Sequence, residues 1–463
     1  MKQYDIIVVG AGAAGVFMSY EMAKRGINAS VLVLDKGGRL EERVCPIKKG
    51  VTRTCVKCNP CHIMNGYGGA GTLSDGKYNI TTQFGGDLHQ YVGIDYAMEL
   101  MEYVDRVLCN MGGEDAKLYS TASSKLKTDC LKHDLHLLEA KVRHLGTDRN
   151  VRILGKMFDY SKDKIDMQFH TTIAEVRKQD DGTFVVVTDK GEEFGCRDLV
   201  LATGRSGSKW ISTVCDKFGV ELKKNRVDIG VRVELPAEVF KHITDDVYES
   251  KIIYQTDKYN DLVRTFCMNP YGEVVSENTN GIVTVNGHSY DDPSLHTQNT
   301  NFALLVSNHF TEPFDDSNEY GESIAKLSNM LGGGVLLQRF GDLVKGRRSS
   351  ERRMKKCFTQ PTLQATPGDL SLVIPKRQLD DIIEMIYALD KIAPGTANED
   401  TLLYGVEVKF YNSVVKVDKN LETSVPNLYA LGDGSGVTHS LSQASASGVH
   451  VARILADKYG CRE

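Results

Sequence analysis

Tyr4-Asp5-Ile6-Ile7-Val8-Val9 runs directly into Gly10-Ala11-Gly12-Ala13-Ala14-Gly15, and the fold follows from that junction. The first six residues are a β-branched apolar run of strand length, and the glycines end it abruptly. Phe17, Tyr20, Met22 and Ala23 then recur at helical spacing as far as Gly26, and a second strand, Ser30 to Leu34, stops at Asp35. Strand, glycine turn, helix, strand and acid make a βαβ nucleotide fingerprint. Gly10 permits the tight turn, Gly12 lets the backbone approach a pyrophosphate, and Gly15 lets helix and strand pack closely. Ala13 and Ala14 lie in the first helical turn, where unpaired N–H groups and the helix dipole favour an anion. Asp35 is placed to accept hydrogen bonds from an adenosine ribose, with Lys36 beside it. A glycine motif alone is a weak signal; the complete βαβ context makes nucleotide binding the preferred reading over a merely flexible loop.

The chain has 463 residues, room for two or three domains or one domain with a large insertion. Apolar content of 41% and charged content of 25% are those of an ordinary globular protein. A net charge of −5 argues against nucleic-acid binding driven by bulk charge. No stretch approaches the roughly 20 apolar residues that span a bilayer. Met1-Lys2-Gln3 leads straight into a core strand without an apolar leader, so a cytoplasmic location is expected. Eleven cysteines in a reducing compartment point to metal or redox chemistry rather than a disulfide scaffold.

Cys45, Cys55, Cys58 and Cys61 fall in a loop-like stretch over 45–61, with Pro46 after the first. Their C-P-x8-C-x2-C-x2-C spacing suits a [4Fe–4S] cluster, and four thiolates would equally hold Zn²⁺ in a tetrahedron. Reduced thiols in a loop, one of them a nucleophile or redox partner, rank level with a metal of either kind. The cluster ranks ahead of zinc because its electrons could reach a neighbouring redox cofactor. The glycine-dense segment Gly66 to Lys77 follows, in which Gly69, Ala70 and Gly71 can form anion-binding backbone nests or press on a flat ring. Asp75 and Lys77 in it are candidates to orient an anionic substrate or to contact the cofactor, with a structural role the equal alternative.

Ile94, Met98, Met101, Val104 and Leu108 predict one amphipathic helix, and Leu131, Leu135, Leu138 and Val142 a second, within a helical segment over 88–145. Val151 to Leu154 reads as a strand. Ile165 to Arg177 and Phe184 to Thr188 read as a hairpin turned at Asp181-Gly182. Asp198 to Ala202 is a buried strand ending in Thr203-Gly204. From Lys209 to Gly405 alternating segments, Asp228 to Leu235, Arg264 to Met268 and Gly281 to Val285, predict an antiparallel sheet. Helices are expected at Glu322 to Leu331 and Gln378 to Leu389. A strand ending in Gly432-Asp433 and a small-residue helix from Ser442 to Lys458 then return to the nucleotide pattern. The expected architecture is α/β: a Rossmann-like nucleotide domain over 1–208 and 406–463, with an inserted mixed α+β substrate domain over 209–405 built on an antiparallel sheet.

Gly10 to Asp35, Ala202-Thr203-Gly204 and Leu431-Gly432-Asp433 together resemble the FAD-binding flavoproteins of the glutathione-reductase type. More closely, Gly68 to Lys77, Phe266-Cys267-Met268-Asn269-Pro270 with Gly272, and Leu441 to Val451 resemble a group described as FAD-utilising dehydrogenases. The resemblance implies that Ile173 flanks the adenine through its backbone, that Asp433 contacts the ribityl chain, and that Ser442, Gln443 and Ala444 open the helix pointing at the flavin. It implies an FAD-dependent oxidoreductase acting on a small organic substrate. The alternative is an electron-transfer or redox-sensing flavoprotein serving a protein partner such as an electron donor. An FAD-dependent RNA-modifying enzyme is a third, weaker reading, given the acidic balance. No second glycine fingerprint follows, so NAD(P)H enters only as a transient donor, if at all, and the C-x4-C pair of the disulfide reductases is absent. His439 sits between Gly-Asp and the helix start and is the candidate general acid or base, or a histidine simply hydrogen-bonded beside the cofactor. The basic run Gly346 to Lys356 reads as a solvated loop, or as a dock for an acidic partner or a phosphate.

Overall fold

The computed structural model describes residues 1–46, 49–51, 56, 58–74, 76–122, 124–279, 281–290, 293–308, 310 and 316–462. The chain forms two compact units: 1–118, 140–223 and 412–463 make the first, and 119–139 with 224–411 the second. Residues 119–139, which the sequence assigned to the nucleotide domain, thus belong to the second unit, and the nucleotide unit runs on to Lys223 rather than 208.

The first unit is built on the strand β1 (Lys2–Val9), the helix α1 (Ala13–Arg25) and the strand β2 (Val31–Leu34). Its sheet adds β3 (Asp166–Gln168), β4 (Ile173–Lys178), β5 (Phe184–Thr188), β6 (Glu193–Leu201) and β7 (Leu428–Ala430). The strand order is β3-β2-β1-β6-β5-β4, with β7 also on β6. The pairs β3–β2, β2–β1, β1–β6 and β6–β7 are parallel, whereas β4, β5 and the start of β6 form an antiparallel meander. The parallel strands read as unbroken apolar runs because both faces are covered. Ile6, Val8, Val31 and Val33 pack with α1 residues such as Phe17 and Met18. Ile7, Val9, Leu32 and Leu34 pack on the other face with Ile211, Val214 and Cys215. The last helix, α2 (Leu441–Tyr459), lies beside α1; a Cβ on Gly448 would stand 2.1 Å from the Ala14 carbonyl oxygen.

Two local expectations are corrected. Leu131, Leu135, Leu138 and Val142 do not share a helix: it ends at Leu131, and Leu135–Leu137 and Lys141–His144 are strands. Leu135 and Leu137 are buried while His136 is exposed, the alternation of a strand. Val151 to Leu154 lies inside the helix Thr147–Ser161, whose buried face is Asn150, Ile153, Leu154, Met157 and Ser161.

The second unit has an eight-stranded sheet with the long strand Val227–Pro236 inside it, flanked antiparallel by Asn299–Asn308 and Leu402–Phe410. Leu262–Asn269, Ile252–Gln255 and Leu135–Leu137 extend it one way, Leu336–Arg339 and Thr366–Pro367 the other. Val227, Ile229, Val231, Val233 and Leu235 face a core with Phe240, Ile324 and Ile382 from three helices, Ala237–Val247, Ser317–Gly332 and Lys376–Asp390. The alternate residues Asp228, Arg232 and Glu234 are also fully buried and therefore carry polar partners. The Arg232 guanidinium forks onto Glu407 at 2.7 and 2.6 Å and donates to the Cys267 carbonyl at 2.8 Å and to Asn286 at 2.9 Å. Glu234 accepts from Tyr404, Thr362 and Asn299.

Candidate functional site

The fingerprint folds as its glycines require. Gly10 has φ +111°, and a Cβ there would lie 2.3 Å from the Ala202 carbonyl oxygen. A Cβ on Gly15 would lie 2.0 Å from the Gly10 oxygen, so α1 can begin this close to β1 only with glycine. Gly12 occupies the N-cap of α1; among the described residues no side chain caps the helix, and no acidic residue lies in its first turn. The amides of Ala13, Ala14 and Gly15 thus stand at the positive end of a 13-residue helix with no side-chain cap among the described residues.

Other glycine segments gather round this end. Gly68 N–H donates to the Ala11 oxygen at 2.7 Å, and Gly69 packs against Gly12. Gly71 lies against Leu441, the first residue of α2, so the 69–71 segment runs from the fingerprint to the start of the last helix. Gly432 is held near Ala14, and Gly434 against Gly204. Asp433 is half-buried, 3.4 Å from the Arg205 guanidinium, and accepts from Thr438 at 3.2 Å. The structure therefore brings Gly10, Gly12, Ala13, Ala14, Gly15, Gly69, Ala70, Gly71, Thr203, Gly204, Gly432 and Asp433 to the C-terminal ends of β1, β6 and β7, where an open α/β sheet binds its ligands.

Asp35 has a structural occupation that the sequence did not reveal. Its carboxylate accepts from the amides of Ala11 at 2.8 Å, Gly37 at 2.7 Å and Gly66 at 3.0 Å, tying the fingerprint to the 66–71 segment. Lys36 is half-buried and reaches the Ser206 carbonyl at 3.4 Å. Ile173 starts β4 with its side chain in the core beside Ile7 and Leu34.

The entrance to α2 divides the three residues expected there. Gln443 is buried and its amide is spent on the preceding loop: it accepts from Leu88 N–H and donates to the carbonyls of Thr81 and Phe84 at 3.2 and 3.1 Å. Ala444 is a buried helix residue whose carbonyl accepts from Ser447. Ser442 is 1% exposed, and its hydroxyl has no partner among the described residues; the Thr203 hydroxyl is in the same position. An orphaned buried hydroxyl costs about 1–3 kcal/mol unless a ligand or water satisfies it. The helix itself begins at Leu441, capped by Ser440. His439 is half-buried and its backbone N–H donates to the Gly85 oxygen at 2.9 Å, in the loop that Gln443 also holds. Lys77 is half-buried on the strand Lys77–Ile80, opposite His144. Asp75 lies outside the described residues.

Cys55 also lies outside the described residues, so the full four-cysteine set has no geometry to inspect. Among the described residues no group of three or more His, Cys, Asp or Glu side chains converges as a metal site requires. Cys45, Cys58 and Cys61 are half-buried free thiols, and neither the iron–sulfur nor the zinc reading gains support.

What organises that stretch instead is Arg43, which the sequence reading missed. It is 5% exposed and donates to the carbonyls of His62, Ile63, Tyr67 and Gly69 and to the Thr72 hydroxyl at 2.6–3.1 Å. Burial pushes its guanidinium down to about 10, against the pull of Asp35 and Cys61. Arg43 staples the cysteine-bearing stretch to the glycine segment. No local pattern marks it, because all five acceptors lie 19 or more residues away.

Residues 226–410 match a family model described as FAD-dependent protein, C-terminal domain-like. The second unit is similar to that domain. The match covers less than half of the chain, and no curated protein matches it. Solved structures that align include glycine oxidase from Geobacillus kaustophilus, 11% identical, covering 99% of this chain and 96% of that one, with TM-score 0.42. L-alpha-glycerophosphate oxidase from Mycoplasma pneumoniae with FAD bound is 10% identical, covering 99% and 95%, with TM-score 0.40. The E. coli quinol fumarate reductase FrdA is 14% identical, covering 99% and 71%, with TM-score 0.44. At these scores the likeness carries no statement about activity. Among the described residues no helix is long and apolar enough to cross a membrane.

Proposed function

We propose that the chain is an FAD-dependent oxidoreductase moving hydride or electron pairs between a small organic substrate and bound FAD. The observation that carries this is the uncapped start of α1, enclosed by glycine segments 66–71, 203–204 and 432–434. Such an end suits a pyrophosphate, and a dinucleotide longer than its two phosphates would account for the orphaned hydroxyls of Thr203 and Ser442. The match of 226–410 to a domain of FAD-dependent proteins supports the same cofactor. In this reading the amides of Ala13, Ala14 and Gly15 hold the pyrophosphate, and Asp433 takes the ribityl hydroxyls. Asp35 keeps the fingerprint closed and has one lone pair left for a ribose hydroxyl. When bound, the flavin supplies the redox chemistry; the protein supplies position and electrostatics. His439 is the residue assigned to move a proton, and Lys77 the one to orient a substrate anion.

The test is anaerobic purification followed by extraction and quantification of bound flavin. The holoprotein is then titrated with NADH, NADPH and unsaturated or hydroxylated acids while its flavin spectrum is followed. Stoichiometric FAD that one of these reduces or reoxidises at a catalytic rate is expected. A chain that neither retains FAD nor takes it up when supplied refutes the proposal.

A further inference from the structure

Between Lys345 and Lys356 the second unit carries seven lysines and arginines against one acid, Glu351, a net of +6. The rest of a chain whose total is −5 therefore carries −11. The run could be a solvated loop or a docking surface, and its anchoring separates the two.

The segment is held from within. Ser349 is fully buried, and its N–H donates to the Gly368 oxygen at 2.9 Å. Its hydroxyl donates to Asp342 at 2.8 Å and accepts from the Arg339 N–H at 2.9 Å. The Arg347 carbonyl accepts from Gln338 at 2.9 Å, and Met354 and Cys357 are buried in one apolar cluster with Leu337, Leu402 and Tyr404. The acids beneath are spent on the inner cations. Buried Asp342 is 2.7 Å from Arg347, 3.7 Å from Arg339 and 3.8 Å from Arg353. Asp400 pairs with Arg339 and accepts from the Phe358 N–H at 2.8 Å, and Glu399 pairs with Lys345 at 2.5 Å.

Four cations remain outside this layer. Arg348, Arg352, Lys355 and Lys356 are exposed, and among the described residues their side chains make no ion pair, hydrogen bond or ring contact. Arg352 stands three and four residues before Lys355 and Lys356 in one helical turn, a spacing at which like charges repel by about 0.2–0.5 kcal/mol a pair. Beside them Phe358 is 81% exposed, although Asp400 fixes its backbone. A loop that only needs to be wet requires neither buried anchors nor a bare phenyl ring. A fixed backbone presenting arginines and an aromatic ring has instead the composition and preorganisation of an interface.

We propose that residues 345–358 form a docking surface for an acidic segment of a partner protein. Its Glu and Asp carboxylates are taken by the Arg348 and Arg352 forks and the Lys355 and Lys356 ammoniums, and an apolar side chain of the segment seats on Phe358. Charge complementarity selects this occupant. A nucleic-acid backbone or a flat anionic bilayer carries negative charge well past the patch and would meet the −11 of the remaining chain. A short acidic segment ends where the patch ends. The surface lies wholly within the second unit and does not depend on the cofactor assigned above.

The purified full chain is titrated against a fluorescein-labelled peptide, Glu-Glu-Leu repeated four times, with fluorescence anisotropy as the readout. A labelled oligouridylate and phosphatidylserine vesicles are run beside it. Saturable micromolar binding of the peptide at low ionic strength, weakening as salt is added, is expected. Arg348→Glu with Arg352→Glu should weaken it about tenfold or more, and Phe358→Ala about threefold or more. Lys178→Glu with Lys391→Glu changes the net charge equally at exposed positions elsewhere and should leave binding within about twofold. Circular dichroism checks each variant, and should the charge reversal fail to fold, Arg348→Gln with Arg352→Gln takes its place. No saturable peptide binding, equal binding in the arginine variants, an equal loss in the lysine pair, or tighter binding of the RNA or the vesicles than of the peptide overturns the proposal.

Discussion

Replacing Arg232 with Met removes the centre of the buried polar network in the second unit, and the structure sets both the size and the pH dependence of the loss. Arg232 is fully buried and satisfies Glu407 with two bonds and the carbonyl of Cys267 and the amide oxygens of Asn286 and Asn301 with one each. Breaking a buried pair by removing one partner costs about 3–5 kcal/mol. Burial holds the Glu407 carboxyl up at about 7 against the pull of Arg232; Glu277 pushes it further up and Lys409 draws it down. A carboxyl raised in the folded state holds its proton there longer than in the unfolded chain. The wild type therefore loses stability as pH rises from the ordinary carboxylate range, and the loss levels off above pH 7. Without the guanidinium the carboxyl rises further, and the variant goes on losing about 1.4 kcal/mol per pH unit above 7 while the wild type is level. The cost of Arg232→Met is thus greater at pH 8 than at pH 6 by about 1.4 kcal/mol. Hydrogen exchange along Val227–Pro236, measured at both pH values, reads the second unit by itself. A cost below about 1 kcal/mol, or one that shrinks at pH 8, would refute the argument. Glu407→Gln should abolish the pH term, and with Arg232 present it should itself destabilise, because the buried guanidinium loses its carboxylate.

Gly15→Ala places a methyl 2.0 Å from the Gly10 oxygen, so α1 must shift off the fingerprint. It should cost at least the ~1–3 kcal/mol of an overpacked core and release FAD on gel filtration; full flavin retention would count against the assigned pyrophosphate site. Arg43→Lys exchanges a five-donor fork for a single ammonium and leaves buried carbonyls unmet, at a cost of about 2–4 kcal/mol. Limited proteolysis should then cut between Cys45 and Ser74 before anywhere else, and an unchanged digestion pattern would count against the staple. Asp381 is fully buried, and burial first, then Asp261 and Glu384, pushes its carboxyl up to about 6. The folded state therefore holds that proton longer, and stability falls as pH rises through about 6. Asp381→Asn keeps the acceptor for Thr256 and should raise Tm at pH 8 with no gain at pH 4; a gain confined to acid would reverse the sign.

The two misread segments show why local pattern runs out. Leu131, Leu135 and Leu138 satisfy a helical period, but Leu135–Leu137 pairs with Ile252–Tyr254, more than a hundred residues on, and that ladder overrides the spacing. Val151 to Leu154 is too short a window to separate an apolar strand from one turn of helix, and the buried residues Met157 and Ser161 beyond it decide for helix.

By itself the sequence determined the fingerprint. Gly15 answers to the Gly10 carbonyl and Gly10 to its own positive φ, so their chemistry is legible where strand and helix are adjacent in the chain, although the close approach of Ala202 to Gly10 is tertiary. The alternation along Asp228 to Leu235 was equally local. Which side chains complete the sites was decided only by tertiary structure. Asp35 turned out to hold three amides, Gln443 to brace a loop more than three hundred residues earlier, and Arg43 to staple two segments. Lys251, Arg264 and Lys409 come from three separate strands or their ends and meet on one ring. A backbone turn is fixed by short-range sterics, whereas desolvation and charge act through space and depend on residues that the chain order keeps apart.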